Sequence, residues 1–214
     1  MLLSNCSNLP ALTRVAIQIL ALSAAAMMLS CSEQVELSRL PGDAVILAFG
    51  DSLTNGYGAS KQDSYPAVLE KLIARRVINE GVSGEVSEAG LKRLPGLLEK
   101  HRPHLLILCH GGNDFLRKKD LKKLESNLVK MIGLARSRDI EVIMLGVPRP
   151  GIILSSADLY GRVASDTGVL FIEDLVADVL GDNALKSDAV HPNNKGYRVM
   201  AETIYEALHA SGAL

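Results

Sequence analysis

The chain has little of what a nucleic-acid-binding protein needs. Tryptophan is absent, aromatic residues make up 4% of the 214 residues, and the formal net charge is −1. Binding to nucleic acid relies on an excess of positive charge and, for single strands, on aromatic side chains that stack on bases. We therefore predict no nucleic-acid partner. The rest of the composition, 48% hydrophobic and 22% charged, is typical of one globular domain.

The apolar stretch near the N-terminus is too short to span a membrane. It covers residues 15–29 and contains Gln18, whereas a membrane-spanning helix needs roughly 20 apolar residues. Arg14 precedes it and is the only charged residue before Glu33. A charged start, a short apolar core and small residues near the end are typical of an export signal, which we assign to residues 1–30.

The end of this signal resembles the bacterial lipoprotein box, in which a cysteine is lipidated and becomes the new N-terminus. Residues 27–32 are Met-Met-Leu-Ser-Cys-Ser. The resemblance implies a lipid on Cys31 and a location in the bacterial cell envelope, periplasmic and anchored to a membrane. A plain cleaved signal and an uncleaved anchor are the alternatives. Residues 31–43 would form a tether, and residues 44–214 the folded domain.

Cysteine is scarce, and histidine has no metal-binding pattern. Once Cys6 leaves with the signal and Cys31 carries a lipid, Cys109 is the only thiol and no internal disulfide can form. Cys109 ends an apolar run, which favours a buried, unreactive side chain. The five histidines do not pair with Cys, Asp or Glu at ligand spacing. We predict neither a metal nor a cofactor.

Short apolar runs alternate with stretches of helical periodicity. The runs predict strands at about 44–49, 76–79, 104–110, 140–146 and 169–172. Helical spacing of apolar residues is clearest at Leu121, Leu124, Leu128, Ile132 and Ala135, and at Tyr197, Met200, Ala201, Ile204 and Leu208. This alternation, with few hairpin signals, predicts an α/β fold: a three-layer α/β/α sandwich around a mainly parallel five-stranded sheet.

The strongest functional signal is a serine that directly follows the first predicted strand. Residues 50–53 are Gly-Asp-Ser-Leu, and residues 188–192 are Asp-Ala-Val-His-Pro. Ligands of open α/β folds collect at the strand ends, where Ser52 would lie. A histidine can take the proton of a serine, and an aspartate can hold that histidine in the right tautomer. We predict Ser52 as nucleophile, His191 as base and Asp188 as its partner, in a hydrolase that forms an acyl-enzyme.

Such a reaction also needs hydrogen-bond donors for the negative oxygen of its intermediate. The backbone N–H of Ser52 is one candidate. Gly84, in Gly-Val-Ser-Gly after the second strand, and Asn113, in Gly-Gly-Asn-Asp after the third, are two more. Loops that follow parallel strands emerge at one edge of the sheet. These segments, together with Arg149 after the fourth strand, should therefore meet in one cleft.

These four sequence blocks, in this order, resemble the SGNH hydrolases, also called the GDSL esterase/lipase family. The Ser, Gly, Asn and His of that family fall on Ser52, Gly84, Asn113 and His191, and Asp188 completes the triad. The resemblance implies a flavodoxin-like fold, no metal and no cofactor. It also implies hydrolysis of esters or thioesters, with a small acyl ester, a thioester or a lysophospholipid as substrate.

Within that family the chain is most similar to the bacterial thioesterase I/lysophospholipase/arylesterase branch, over nearly all of residues 44–210. One segment departs from the branch, which usually carries a Pro-Asn-Tyr-Gly-like stretch after the fourth strand. Here residues 148–154 are Pro-Arg-Pro-Gly-Ile-Ile-Leu. Because this segment would line the acyl pocket, the chain-length preference and the leaving group stay open.

Two other functions remain at this point. The same machinery could remove acetyl groups from an envelope polysaccharide, or the protein could be a non-catalytic lipoprotein that binds lipids. A deep apolar cleft favours an esterase of longer acyl groups, and a shallow polar one favours the deacetylase.

Overall fold

Each of the five apolar runs forms a strand. The computed structural model describes residues 35–151 and 154–214, so the predicted export signal and Cys31 lie outside the described residues. The strands are β1 (Val45–Gly50), β2 (Arg76–Gly81), β3 (Leu105–Cys109), β4 (Glu141–Leu145) and β5 (Leu170–Ile172). All residues of β3 are buried, because a central parallel strand is covered on both faces.

The five strands form one sheet in the order β2-β1-β3-β4-β5, and every neighbouring pair is parallel. Ile46 of β1 faces Val77 of β2 on one side and Leu105 of β3 on the other. The chain steps outward from β1 to β2 and then crosses back to β3. The direction of winding therefore reverses between β1 and β3, and a crevice opens at the carboxyl ends of these two strands. The predicted fold class is confirmed.

Helices cover both faces of the sheet. They are α1 (Ser52–Asn55), α2 (Tyr65–Ile73), α3 (Ser87–His101), α4 (Gly112–Leu116), α5 (Leu121–Arg136), α6 (Asp158–Thr167), α7 (Leu175–Gly181) and α8 (Asn194–Ala210), with a 3-10 turn at Lys61–Asp63. Helices α2 and α7 pack on α8, and α5 packs on α3 and α6. Right-handed crossovers explain this division, since the reversal of winding sends α2 to one face and α3, α5 and α6 to the other.

The long helices bury the faces that their apolar spacing predicts. Leu124, Leu128 and Ile132 of α5 are buried, as are Met200 and Ile204 of α8. Both helices begin at a side-chain cap, which satisfies backbone N–H groups that have no partner within the helix. The side chain of Asp120 caps α5 and accepts from the N–H of residue 122. The side chain of Asn193 caps α8 and accepts from the N–H groups of residues 195 and 196.

The folded part of the chain begins before residue 44. Leu37 and Leu40 are buried, and their N–H groups donate to the carbonyls of Ser211 (2.9 Å) and Ala213 (2.8 Å). The second half of the segment expected as a tether over residues 31–43 is therefore docked on the domain. Both leucines belong to the hydrophobic core, and Arg75 also donates to the carbonyls of Leu40 and Pro41.

Among the helices that the structure describes, none is long and apolar enough to span a membrane.

Candidate active site

Ser52 lies at the point where the sheet order reverses. It is the first residue of α1, directly after β1 and Asp51. Asp51 is buried, and its Oδ1 accepts from Leu53 N at 3.1 Å, which caps this short helix. Gly50 lets the ends of β1 and β3 approach each other, since a Cβ at this position would lie 1.9 Å from the carbonyl oxygen of Cys109. Ser52 is thus held on a tight strand-to-helix turn.

The structure brings together the three residues that the sequence predicted as a triad. Ser52 Oγ lies 3.0 Å from His191 Nε2. His191 Nδ1 lies 2.9 Å and 2.8 Å from the two carboxylate oxygens of Asp188. A carboxylate accepts hydrogen bonds, so it favours the tautomer in which Nδ1 carries the proton. His191 Nε2 is then the acceptor that faces the serine hydroxyl.

The carboxylate of Asp188 is fixed by the loop that carries His191. Asp188 Oδ1 accepts from the N–H groups of Val190 and His191, both at 2.9 Å. Partial burial raises the pKa of Asp188, but the hydrogen bonds from the Val190 N–H and the His191 side chain outweigh this effect. The pKa of Asp188 therefore lies below its usual value. The group is therefore ionised at neutral pH, as a partner of an imidazolium must be.

Sequence reasoning gave no role at the site to Tyr57, which lies beside the triad. The ring of Tyr57 packs against the imidazole of His191, with centroids 4.5 Å apart. The backbone carbonyl of Tyr57 accepts from Tyr197 Oη at 2.8 Å, which ties this loop to α8. Tyr57 is exposed at 55%, and a tyrosine between two glycines, five residues after Ser52, was the available signal.

Asn113 reaches the site from the end of β3. Its Nδ2 donates to Asp51 Oδ2 at 3.2 Å, which orients the amide beside Ser52. Burial raises the pKa of Asp51, although His110, the Leu53 N–H and Asn113 act to lower it. The next residue, Asp114, accepts from Ser87 N (2.8 Å) and Ser87 Oγ (2.7 Å), which joins α4 to the start of α3.

Gly84 lies on the neighbouring loop after β2. It has φ of +80°, in the left-handed region, and its carbonyl accepts from Arg117 Nη2 at 2.7 Å. Ser52, Asn113, Arg149 and His191 line one cleft. The segments that follow β1, β3 and β4 therefore meet the histidine loop there, as the parallel sheet predicts.

The walls of the cleft are mainly apolar. They include Leu116, Val147, Leu154, Leu180 and Val190. Leu116 is 52% exposed, so its side chain is accessible from the cleft that it lines. The two isoleucines of the segment after β4 lie outside the described residues.

A cationic side chain stands at the edge of these apolar walls. The guanidinium of Arg149 lies 5.8 Å from the ring centroid of Phe115. Arg149 also borders an adjoining groove that Lys118 and Lys119 line. Over residues 35–151 and 154–214, no group of His, Cys, Asp and Glu is arranged to hold a metal ion.

A largely buried charged cluster includes the residue that follows Gly84. We define this charged cluster as Glu85, Arg93 and His110. Arg93 Nε and Nη2 donate to the two carboxylate oxygens of Glu85 at 3.0 Å and 2.7 Å, and His110 Nε2 lies 3.2 Å from Glu85 Oε2. Burial raises the pKa of Glu85, but the hydrogen bonds of His110 and Arg93 and the charge of Arg93 lower it to about 2.

The comparison with protein families agrees with this geometry. The profile of the GDSL-like lipase/acylhydrolase family matches residues 48–199. The chain belongs to this family. Esterase TesA of Pseudomonas aeruginosa is 30% identical over 195 residues, which cover 86% of this chain and 97% of that protein. The Escherichia coli protein named thioesterase 1/protease 1/lysophospholipase L1 is 28% identical over 171 residues, which cover 76% of this chain and 82% of that protein.

A solved esterase structure has the same fold. The crystal structure of the psychrotrophic esterase EstA from Pseudoalteromonas sp., inhibited by monoethylphosphonate, superposes with a TM-score of 0.70 at 25% identity. The match covers 78% of this chain and 98% of that one. The family that the sequence blocks indicated is confirmed, including its similarity to the thioesterase and lysophospholipase branch.

The low pKa of Glu85 predicts a pH-dependent stability. Because the folded-state pKa is about 2, below the ordinary 4.5, the ionised carboxylate stabilises the fold above about pH 4.5. This contribution is lost as the pH falls through the folded-state value. Glu85→Gln should therefore lower the free energy of unfolding by about 2 kcal/mol at pH 7, and the deficit should shrink from pH 4.5 toward pH 3. Urea unfolding across this range measures it.

A matched control uses a second Arg–Glu fork. Arg162 donates to Glu125 with Nε (3.0 Å) and Nη2 (2.8 Å), but the arginine side chain is 57% exposed. Glu125→Gln should cost less than about 1 kcal/mol at any pH, because solvent screens exposed pairs. Equal losses in both variants, or a Glu85→Gln deficit that does not depend on pH, would contradict the interpretation.

Proposed function

We propose that this GDSL serine hydrolase cleaves carboxylic esters and thioesters through an acyl-enzyme formed on Ser52. One observation carries the proposal: the continuous hydrogen-bond chain from Ser52 Oγ through His191 to Asp188, with spacings of 3.0 Å and 2.8 Å. A serine hydroxyl is a weak nucleophile by itself and needs a base within hydrogen-bond reach.

In the acylation step, Ser52 Oγ attacks the carbonyl carbon while its proton passes to His191 Nε2. The ionised Asp188 stabilises the imidazolium that forms. When the tetrahedral intermediate collapses, His191 returns the proton to the leaving alcohol or thiol. Water then attacks the acyl-enzyme with the same base, so Ser52 is regenerated and a carboxylic acid is released.

The oxyanion would be held by three donors. Ser52 N–H and the Asn113 amide border the cleft, and Asp51 already orients that amide. Gly84 N–H would be the third donor. Donors that are in place before reaction stabilise the developing charge without reorganisation, usually the largest contribution to such catalysis.

The walls of the cleft support an acyl group as the part of the substrate that is bound. Leu116 and Leu154 line the cleft, and Arg149 stands at its edge. An apolar cleft with a cation at its margin fits an ester with an acyl chain and a polar or anionic remainder, such as a lysophospholipid. The names of the Pseudomonas and Escherichia coli relatives support this substrate class.

Removing the serine hydroxyl tests the mechanism directly. Ser52→Ala should lower kcat on p-nitrophenyl butyrate by about 10⁴-fold or more, because no nucleophile remains, while thermal unfolding stays nearly unchanged. A fluorophosphonate probe should label the wild type at Ser52 and leave the variant unlabelled.

The control is Ser60→Ala, which removes an exposed serine of the same loop region. It should keep full activity and full labelling. Turnover that persists in Ser52→Ala would refute the acyl-enzyme on this residue. A wild type that is folded, inactive and unlabelled would favour the non-catalytic lipid-binding lipoprotein instead.

Acyl-length preference separates an esterase from a polysaccharide deacetylase. Since each buried methylene contributes about 0.8 kcal/mol, kcat/KM should rise about threefold to fourfold per CH₂ from the acetyl to the butyryl ester. Leu116→Ala should reduce this increase, whereas Leu72→Ala, a partly exposed leucine outside the cleft, should not. A preference for acetyl esters and for acetylated sugars would favour the deacetylase.

We further propose an envelope location through a lipid on Cys31. The support is the sequence of residues 27–32 and the 15-residue apolar core before it. Expressed in a bacterial host with labelled palmitate, the wild type should incorporate the label and fractionate with membranes. Cys31→Ala should lose the label, and Cys6→Ala should keep it. A wild type that stays unlabelled would favour a plain cleaved signal or an uncleaved anchor.

A further inference from the structure

The loop that carries Gly84 makes few hydrogen bonds from its own backbone N–H groups. It connects β2 to α3, and Val82 at its start is 42% exposed. Val82 N donates to the carbonyl of Gly50 (3.0 Å), and Glu85 N donates back to that of Val82 (3.1 Å). An exposed loop held this lightly would fluctuate, and its N–H groups would have no fixed direction, unless side chains fasten it.

Two side chains hold this loop: Arg117 donates to the Gly84 carbonyl at 2.7 Å, and the carboxylate of Glu85 anchors the loop from its buried side. Glu85 directly follows Gly84, and its side chain is only 8% exposed although the loop lies at the surface. The fork from Arg93 and the contact with His110 hold both carboxylate oxygens. Arg93 Nη2 also donates to the carbonyl of Glu80 at 3.0 Å. One guanidinium therefore holds the chain on both sides of Gly84.

The charged cluster also contacts the ends of the two neighbouring strands. The guanidinium of Arg93 lies 4.5 Å from the ring centroid of Phe49, the residue before Gly50 in β1. His110 follows β3, and its ring lies 5.7 Å from the same phenyl ring. The cluster therefore packs against the ends of β1, β2 and β3, the three strands that precede Ser52, Gly84 and Asn113.

Close packing of α3 makes this arrangement possible. A Cβ at Gly90 would lie 2.4 Å from His110 Nε2 and 3.3 Å from Glu85 Oε2. Only a glycine at this position lets the helix lie directly over the charged cluster. The hydroxyl of Tyr160 in α6 donates to the carbonyl of His110 at 2.8 Å, so the backbone of this histidine is held as well.

We propose that Glu85, Arg93 and His110 are positioning residues that set the direction of the Gly84 N–H relative to Ser52 and Asn113. This inference rests on the proposed function, in which the Gly84 N–H, the Ser52 N–H and the Asn113 amide donate to the oxyanion. Buried ion pairs often stabilise a fold no better than apolar residues of the same size. Their geometry is directional, however, and small errors in donor placement reduce oxyanion stabilisation.

The test is the kinetics of Glu85→Gln at a temperature where the variant is folded. The substitution keeps the shape of the side chain but removes the charge that orders the fork. We expect kcat on p-nitrophenyl butyrate to fall about tenfold to a hundredfold with KM within about threefold, because oxyanion donors act mainly in the transition state. Arg93→Lys, which keeps the charge without the fork, should lose kcat in the same way and by less.

The matched control is Glu80→Gln, since Glu80 Oε2 lies 3.4 Å from Arg93 Nη1 but outside the loop. Its kcat should stay within about twofold of the wild type, as expected for a partly exposed pair. Combining Glu85→Gln with Asn113→Ala should lower kcat by less than the product of the two single losses, because both act on one oxyanion.

Several results would overturn the proposal: full kcat in folded Glu85→Gln or Arg93→Lys, a loss confined to KM, an equal loss in Glu80→Gln, or fully multiplicative losses in the double variant. If neither Glu85→Gln nor Arg93→Lys folds, the cluster acts in folding and the proposal also fails. A different result would show that the proposed function itself is wrong: a wild-type protein that does not hydrolyse the ester and is not labelled by fluorophosphonate at Ser52.

Discussion

The hydrogen bond between Ser52 Oγ and His191 Nε2 joins residues that are 139 positions apart in the chain. It forms only if the end of β1 and the loop before α8 arrive at the same edge of the sheet. The reversal of winding between β1 and β3 opens the crevice there, and the packing of α8 against α2 and α7 brings the histidine loop to it. The chemistry of the protein therefore depends on the strand order.

Around this bond, buried polar groups orient one another. Asp51 caps the helix that begins at Ser52 and also accepts from Asn113. The charged cluster performs a similar task on the other side, since Glu85 joins the loop after β2 to the end of β3. Burying a carboxylate costs free energy unless hydrogen bonds satisfy its oxygens. Where they do, the paired groups are held in fixed directions.

Most of the architecture was predictable from short stretches of sequence, and the exceptions share one cause. The strands and the buried faces of the helices follow from the local periodicity of apolar residues. The contact between Asp188 and His191 forms within a single loop, because the two residues are three positions apart. The docking of Leu37 and Leu40 on the C-terminal residues depends on a surface that exists only after folding. The same holds for the packing of Tyr57 on the imidazole.

The sequence by itself determined the α/β class and the family, and it named the residues that we propose as the triad, because these depend on residue types within short blocks of the chain. Only the tertiary structure decided the strand order, the apolar walls of the cleft and the pairing of Glu85 with Arg93 and His110. Such contacts depend on distances between segments that are remote in the chain, and local periodicity carries no information about those distances.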